Sequence, residues 1–158
     1  MQKLNLPEYA FRTKKENAKQ LIFDTIRKKF VVLTPEEWVR QNFIQYLIKE
    51  KKYPETLMSV EKQILVNTQQ RRFDLLIYLR NGQPHLIAEF KAWNVKITQD
   101  AFDQVVRYNM ALKVERVIVS NGMQHFACEI DYVKNSFKYL PEIPVFSERC
   151  KADGQGFS

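Results

Sequence analysis

From residue 34 onward, apolar and polar positions fall into helical and extended periods in turn. Thr34-Pro35-Glu36-Glu37 opens the clearest of them. Thr is a good N-cap, Pro suits the first helical position, and the glutamates complement the positive end of the helix dipole. Thr34 and Glu37 also have capping-box spacing. Val39, Phe43, Ile44, Tyr46, Leu47 and Ile48 follow at helical spacing, so a helix over 35–50 is predicted, packed on a sheet. Residues 59–66 alternate as a strand through Val60, Ile64 and Val66, and 67–71 read as a loop. A second helix is predicted over 98–112, with Phe102, Val105, Val106, Met110 and Leu112 as its apolar face. Residues 114–120 and 126–133 read as two antiparallel strands around the tight turn Asn121-Gly122. Residues 14–29 fit either a helix or a hairpin that leads into an extended 30–33.

Between the two helices lies a hairpin. Arg72 to Arg80 and Gln83 to Lys91 flank Asn81-Gly82, and Asn-Gly between apolar runs favours a tight turn because both residues tolerate positive φ. With a two-residue loop, Arg80 pairs with Gln83 and paired positions sum to 163. Asp74 then lies opposite Glu89, and Lys91 shares the sheet face of Glu89. Opposed side chains have Cβ atoms ~5 Å apart. Two ionised carboxylates at that separation repel by roughly 3 kcal/mol at an effective dielectric near 20. Something positive belongs between them: Lys91, a divalent cation, or both. A structural salt bridge explains the charges but not their placing inside apolar strands, where desolvation is costly.

The pattern accounts for 158 residues as a single domain (1–158), with its core over 30–133 and an irregular tail over 145–158. The order α-β-β-β-α-β-β means an α/β fold, a mixed sheet flanked by helices. No apolar run reaches membrane-spanning length, and residues 1–7 lack a signal-peptide core. Cys128 and Cys150 show no metal-ligand spacing and fit a reducing cytoplasm. Net charge is +7, from 25 basic and 18 acidic residues. Residues 1–53 hold 12 Lys/Arg against 6 Asp/Glu, and so contribute +6 of it. Charge by itself describes no more than a solubilising face; beside a carboxylate site it suits a phosphodiester substrate.

Asp74 followed by Glu89-Phe90-Lys91 on the next strand resembles the PD-(D/E)xK nuclease motif. Gln104-Val105-Val106-Arg107-Tyr108 on the following helix is similar to the QxxxY element of its RecB-like branch. The resemblance is nearest to the N-terminal nuclease domain of type I restriction enzyme R subunits, with Pro35-Glu36-Glu37 and Glu61 matching the elements that precede the Asp there. It covers roughly residues 30–130 and implies a restriction-endonuclease-like fold with an α-β-β-β-α-β core. It also implies a metal-dependent endonuclease acting on DNA. Asp74, Glu89 and the Phe90 carbonyl would hold Mg²⁺ or Mn²⁺, and Lys91 would orient or deprotonate the attacking water. Glu36 would complete the site, with Glu37 the alternative, and Gln104 and Tyr108 would position substrate. Implied partners are DNA and motor or specificity subunits, or a homodimer mate, with no membrane. Phe73 stands where the motif's name has Pro. The chain has no P-loop, so ATP-driven translocation is not expected of it by itself. Two other readings stay open: a DNA-binding module without useful catalysis, and a scaffold domain whose charge cluster is structural. His85 and His125 receive no role.

Overall fold

The computed structural model of the chain describes residues 1–148. Residues 14–29 resolve into the hairpin alternative. Strands β1 (Thr13–Glu16), β2 (Lys19–Asp24) and β3 (Lys29–Val32) form a three-stranded antiparallel sheet. Asn17 and Ala18 take positive φ at its first turn, as a two-residue turn matched to strand twist requires. Helix α1 (Pro35–Lys49) follows, with Thr34 as its N-cap accepting the Glu37 N–H at 3.0 Å. The capping box closes in this direction only. The Thr34 N–H donates to the Val32 carbonyl, and the Glu37 side chain turns inward.

After a 3₁₀ turn (Glu55–Leu57) come β4 (Met58–Val66), β5 (Gln69–Tyr78), β6 (Pro84–Phe90), α2 (Gln99–Met110), β7 (Arg116–Ser120), β8 (His125–Asp131) and β9 (Ser136–Leu140). These strands form one mixed sheet in chain order, antiparallel except at the β6–β7 pair that α2 bridges. The α-β-β-β-α-β-β order is therefore present, with β9 added at the edge. β9 left little trace in the sequence because only Phe137 and Leu140 are half-buried in it. Residues 145–148 carry no regular structure, and the rest of the expected tail, with Cys150, lies outside the described residues. Among the described residues no helix is long and apolar enough to cross a membrane.

The helices cover opposite faces of the sheet. Val39, Phe43, Ile44 and Leu47 of α1 pack with Leu75, Ile77, Leu86, Ala88 and Phe90. Phe102 and Val106 of α2 pack with Phe73, Leu76, Ile87, Val117 and Val119. β6 is thus buried on both sides, which is why its sequence is a run of apolar residues rather than an alternation. Cys128 sits in the second core, its thiol pushed up to about 12 by burial, so it is inert near neutrality.

The central hairpin differs from the expected one at its tip. Leu79 N–H donates to Gln83 O and Gly82 N–H to Leu79 O, leaving a three-residue loop, Arg80-Asn81-Gly82. Of the loop's residues only Gly82 takes a positive φ. Pairing sums to 162 at Tyr78–Pro84 and to 163 from Ile77–Leu86 onward, with His85 the extra residue. The bulge restores the expected register from Ile77–Leu86 to Leu75–Ala88, but Arg80 and Gln83 do not pair and the ladder stops one position short of Asp74–Glu89.

A second irregularity lies across β4 and β5. Glu61 has φ 54, a left-handed conformation in mid-strand, and the Glu61–Asp74 pair drops out of an otherwise continuous ladder. Val60 packs in the α1 core and Ile64 in the α2 core; Leu75 and Phe73 divide the same way. Both strands therefore exchange faces at this point. Simple alternation had put Val60 and Ile64 on one side, and the rotation at Glu61 overrides it.

Two glycine turns should respond differently to alanine. At Gly82 (φ 86) an added Cβ meets nothing within 4 Å, so Gly82→Ala should cost only the strain of the left-handed conformation, about 1 kcal/mol. At Gly122 (φ 82) the Cβ would lie 2.8 Å from Leu4 Cδ2 and 3.1 Å from Val39 Cγ2. Gly122→Ala should cost roughly 2–3 kcal/mol. In denaturant titrations Leu4→Ala should relieve part of that excess; equal costs at the two glycines would contradict the packing described.

Candidate active site

The site forms where β5 and β6 separate. Their ladder ends at Leu75–Ala88, although both strands continue past it. Asp74 sits in the fork, and its Oδ2 accepts the Phe90 N–H at 2.8 Å in place of a backbone carbonyl. The Glu89 carboxyl reaches Asp74 and hydrogen-bonds to it. Burial first, and then the Asp74 charge, push Glu89 up to about 9; Lys91 opposes them without cancelling them. Glu89 therefore keeps its proton at neutral pH beside Asp74. Lys91 follows directly, its N–H held by the Ser120 carbonyl at 2.9 Å, which extends the β6–β7 ladder and fixes its backbone. Its side chain is exposed and acts on Glu36 and Glu89 through space, with no ion pair of its own among the described residues.

The cation that touches Asp74 comes from α1. Arg40 is 3% exposed and bonds four acids: Glu37 at 2.7 Å, Asp74 at 3.2 Å, Glu61 at 3.3 Å and Glu36 at 3.5 Å. Arg27, from the turn between β2 and β3, closes the network. It reaches Glu37 at 2.6 Å and Glu61 at 3.0 Å, and pairs with buried Asp24. Burial works to raise Glu61, yet Arg72, Arg40 and Arg27 together hold it below the usual carboxylate range. The N-terminal sheet is thereby fastened to the site.

The two helix-borne acids divide. Glu37 is buried in the arginine network, with Gln41 also donating to it at 2.8 Å. Glu36 is half-exposed and feels Asp74 and Lys91; burial first and then Asp74 push its carboxyl up. It lies at the rim of the site rather than in the core. Oxygens that could hold a cation are thus the carboxyls of Asp74 and Glu89, with Glu36 beside them. Among the described residues no group of three or more His, Cys, Asp or Glu has metal-holding geometry.

Glu89 and Lys91 open into a cleft of about 390 Å³ that Gln104 and Tyr108 of α2 also line, with Arg71 and Arg72 of β5. Gln104 Nε2 donates to the Tyr108 hydroxyl at 3.2 Å, and the Arg71 guanidinium lies 4.2 Å from the Tyr108 ring centre. The structure thus brings Asp74, Glu89, Phe90, Lys91 and Glu36 to the fork, and Gln104 and Tyr108 to the adjoining wall.

Arg40 and Arg27 were missed. A signal for Arg40 existed: it falls one turn after Glu36 and three residues before Phe43, a charge within an apolar stripe. Nothing local marks Arg27, whose role is set by contacts distant in sequence. His125 bridges Ser120 Oγ at 2.7 Å and the Asn5 carbonyl at 2.9 Å, which is a packing role.

A family model described as type I restriction enzyme R protein N terminus matches residues 35–144. No curated protein sequence matches the chain. Among solved structures, a fragment of an HsdR subunit of a type I restriction enzyme from Vibrio vulnificus YJ016 superposes with a TM-score of 0.51 at 20% identity. The match covers 72% of this chain and 24% of that one, so this chain spans about a quarter of that protein's length. The likeness is one of fold, and the restriction-endonuclease-like architecture read from the sequence stands.

The raised Glu89 carboxyl sets a pH dependence. Glu89 takes up its proton near 9 when folded and near 4.5 when unfolded. Between those values the folded state binds a proton that the unfolded chain releases, so stability falls as pH rises through this window. Glu89→Gln should flatten that decline, leaving the variant more stable than the wild type at pH 8 and little changed at pH 4, by denaturant midpoints. Arg40→Ala should destabilise by roughly 3–5 kcal/mol, because it leaves buried carboxylates without their counter-charge.

Proposed function

This chain belongs to the family of the type I restriction enzyme R protein N terminus, and from that premise we propose that it hydrolyses DNA phosphodiester bonds with Mg²⁺ or Mn²⁺. It would act as the nuclease part of a cytoplasmic restriction or defence system, alongside motor and specificity subunits or a second copy of itself. The observation that carries this reading is a cleft lined by Glu89 and Lys91, with Asp74 against Glu89 and the Lys91 ammonium not locked between the two acids.

The residues present suit Mg²⁺ in kind. It takes hard oxygens, keeps several waters, and needs only one or two protein carboxylates. Asp74 and Glu89 would supply two, the Phe90 carbonyl would supply a third oxygen, and a divalent cation would replace the proton on Glu89. When bound, the metal would neutralise phosphate charge and make a bound water more acidic. Lys91 Nζ would orient the attacking water, or take its proton, and steady the charge that builds on phosphorus-bound oxygen. Arg40 would hold Asp74 in place, and Glu36 would complete the acidic wall. Gln104 and Tyr108 would hold the strand in the cleft.

The purified chain should cut DNA in Mg²⁺ or Mn²⁺, and Lys91→Ala should lower the rate by at least about 100-fold while metal uptake persists. A wild type that cuts no DNA form, yet binds DNA equally well as Asp74→Ala, would instead establish a binding module. Calorimetry at pH 7 in buffers of different ionisation enthalpy should show about one proton released per Mg²⁺ bound, lost in Glu89→Gln.

A further inference from the structure

Arg71 stands apart from the other arginines around the fork. Arg27, Arg40 and Arg72 are each bonded to carboxylates, Arg72 to Glu61 at 2.6 Å. Among the described residues Arg71 has no acid within ion-pair distance. Its side-chain polar contact is with Gln69 Oε1 at 3.0 Å, an exposed amide on its own strand. Its guanidinium instead lies over the Tyr108 ring, at 4.2 Å from the centre, on the wall of the cleft that holds Glu89 and Lys91. The ring is itself held through the Gln104 amide at its hydroxyl.

A guanidinium laid on an aromatic face has its plane fixed, so the donors not taken by Gln69 and the Tyr108 hydroxyl are pre-oriented for an acceptor. Among the described residues neither Arg71 nor Lys91, which lines the same cleft, has an ion-pair partner, so the cleft presents two cations to an anion. Arg71 precedes Asp74 by three residues on the same strand, and its guanidinium lies against Tyr108 of α2.

We propose that Arg71, steadied by Tyr108, binds a backbone phosphate of the DNA strand beside the one over Asp74 and Glu89. This rests on the hydrolytic reading of the cleft and assigns that site a second phosphate subsite. Arg71 is a positioning residue: it grips the strand and does not touch the reacting atoms.

The test uses the full chain and a fluorescently labelled DNA duplex with Ca²⁺ in place of Mg²⁺, so that binding is read without cleavage. Arg71→Ala should weaken binding about tenfold and reduce the slope of log affinity against log salt by about 1. Arg71→Lys should keep the slope. In Mg²⁺, Arg71→Ala should raise KM with kcat nearly unchanged, and its thermal midpoint and Mg²⁺-linked proton release should match the wild type. A folded Arg71→Ala protein with unchanged affinity and salt slope would overturn the proposal, as would a wild type with no DNA affinity. If the slope changes but no variant or wild type cuts DNA, the phosphate subsite stands and the hydrolytic reading falls. If the wild type cuts and Arg71→Ala cuts with the same KM, the hydrolytic reading stands and the subsite falls.

Discussion

Arg40 sits where four carboxylates from three elements would otherwise repel one another. Glu36 and Glu37 arrive on α1, Glu61 on β4 and Asp74 on β5, and one guanidinium lies within 3.5 Å of all four. Its charge permits the acids to share an interior, and its planar fork sets their directions. The rotation of β4 and β5 at Glu61 belongs to the same arrangement. Glu61 adopts a conformation disfavoured for a residue with a Cβ, and three arginines bond the carboxylate so presented. Because Arg27 belongs to the N-terminal sheet, that small sheet is held to the site by charge.

The network separates acids that are spent from acids that are free to act. Asp24, Glu37 and Glu61 are matched by arginines and serve to hold the fold. Asp74 stands at the border, bonded to Arg40 on one side and to the Phe90 N–H on the other. Glu89 lies beyond it, with no arginine, and keeps a proton instead. That gradient, from matched to unmatched charge across one strand, is what singles out the β5–β6 fork as the reactive end of the sheet. The fork itself depends on the ladder stopping at Leu75–Ala88, which leaves room for side chains between two strands that would otherwise be sealed together.

Much of this was legible in the chain, for physical reasons that differ by element. Helix α1 announced itself through Thr34-Pro35 and an apolar stripe, both local signals. The facing of Asp74 and Glu89 was legible because pairing in a hairpin is arithmetic. It survived an incorrect turn because the bulge at His85 compensates the three-residue loop. The face exchange at Glu61 was not legible, since Ser59-Val60-Glu61-Lys62 carries no Gly or Asn to mark a left-handed residue. Nor was the partner of Asp74. Lys91 is near in the hairpin and was the natural candidate, but Arg40 holds Asp74 through contacts 34 residues apart in sequence. The helix-borne acid was legible as a pair, yet only the packing separates Glu37, turned inward to the arginines, from Glu36 at the rim.

The central claim is that a divalent cation takes the place of the Glu89 proton beside Asp74. A crystal structure of the chain grown near neutral pH with Mn²⁺, read through its anomalous scattering, tests it most directly. The account predicts a peak bonded to oxygens of both Asp74 and Glu89, with Arg40 still on Asp74 and Lys91 outside the coordination sphere. An empty fork at saturating Mn²⁺, with the two carboxyls still hydrogen-bonded to each other, would contradict it.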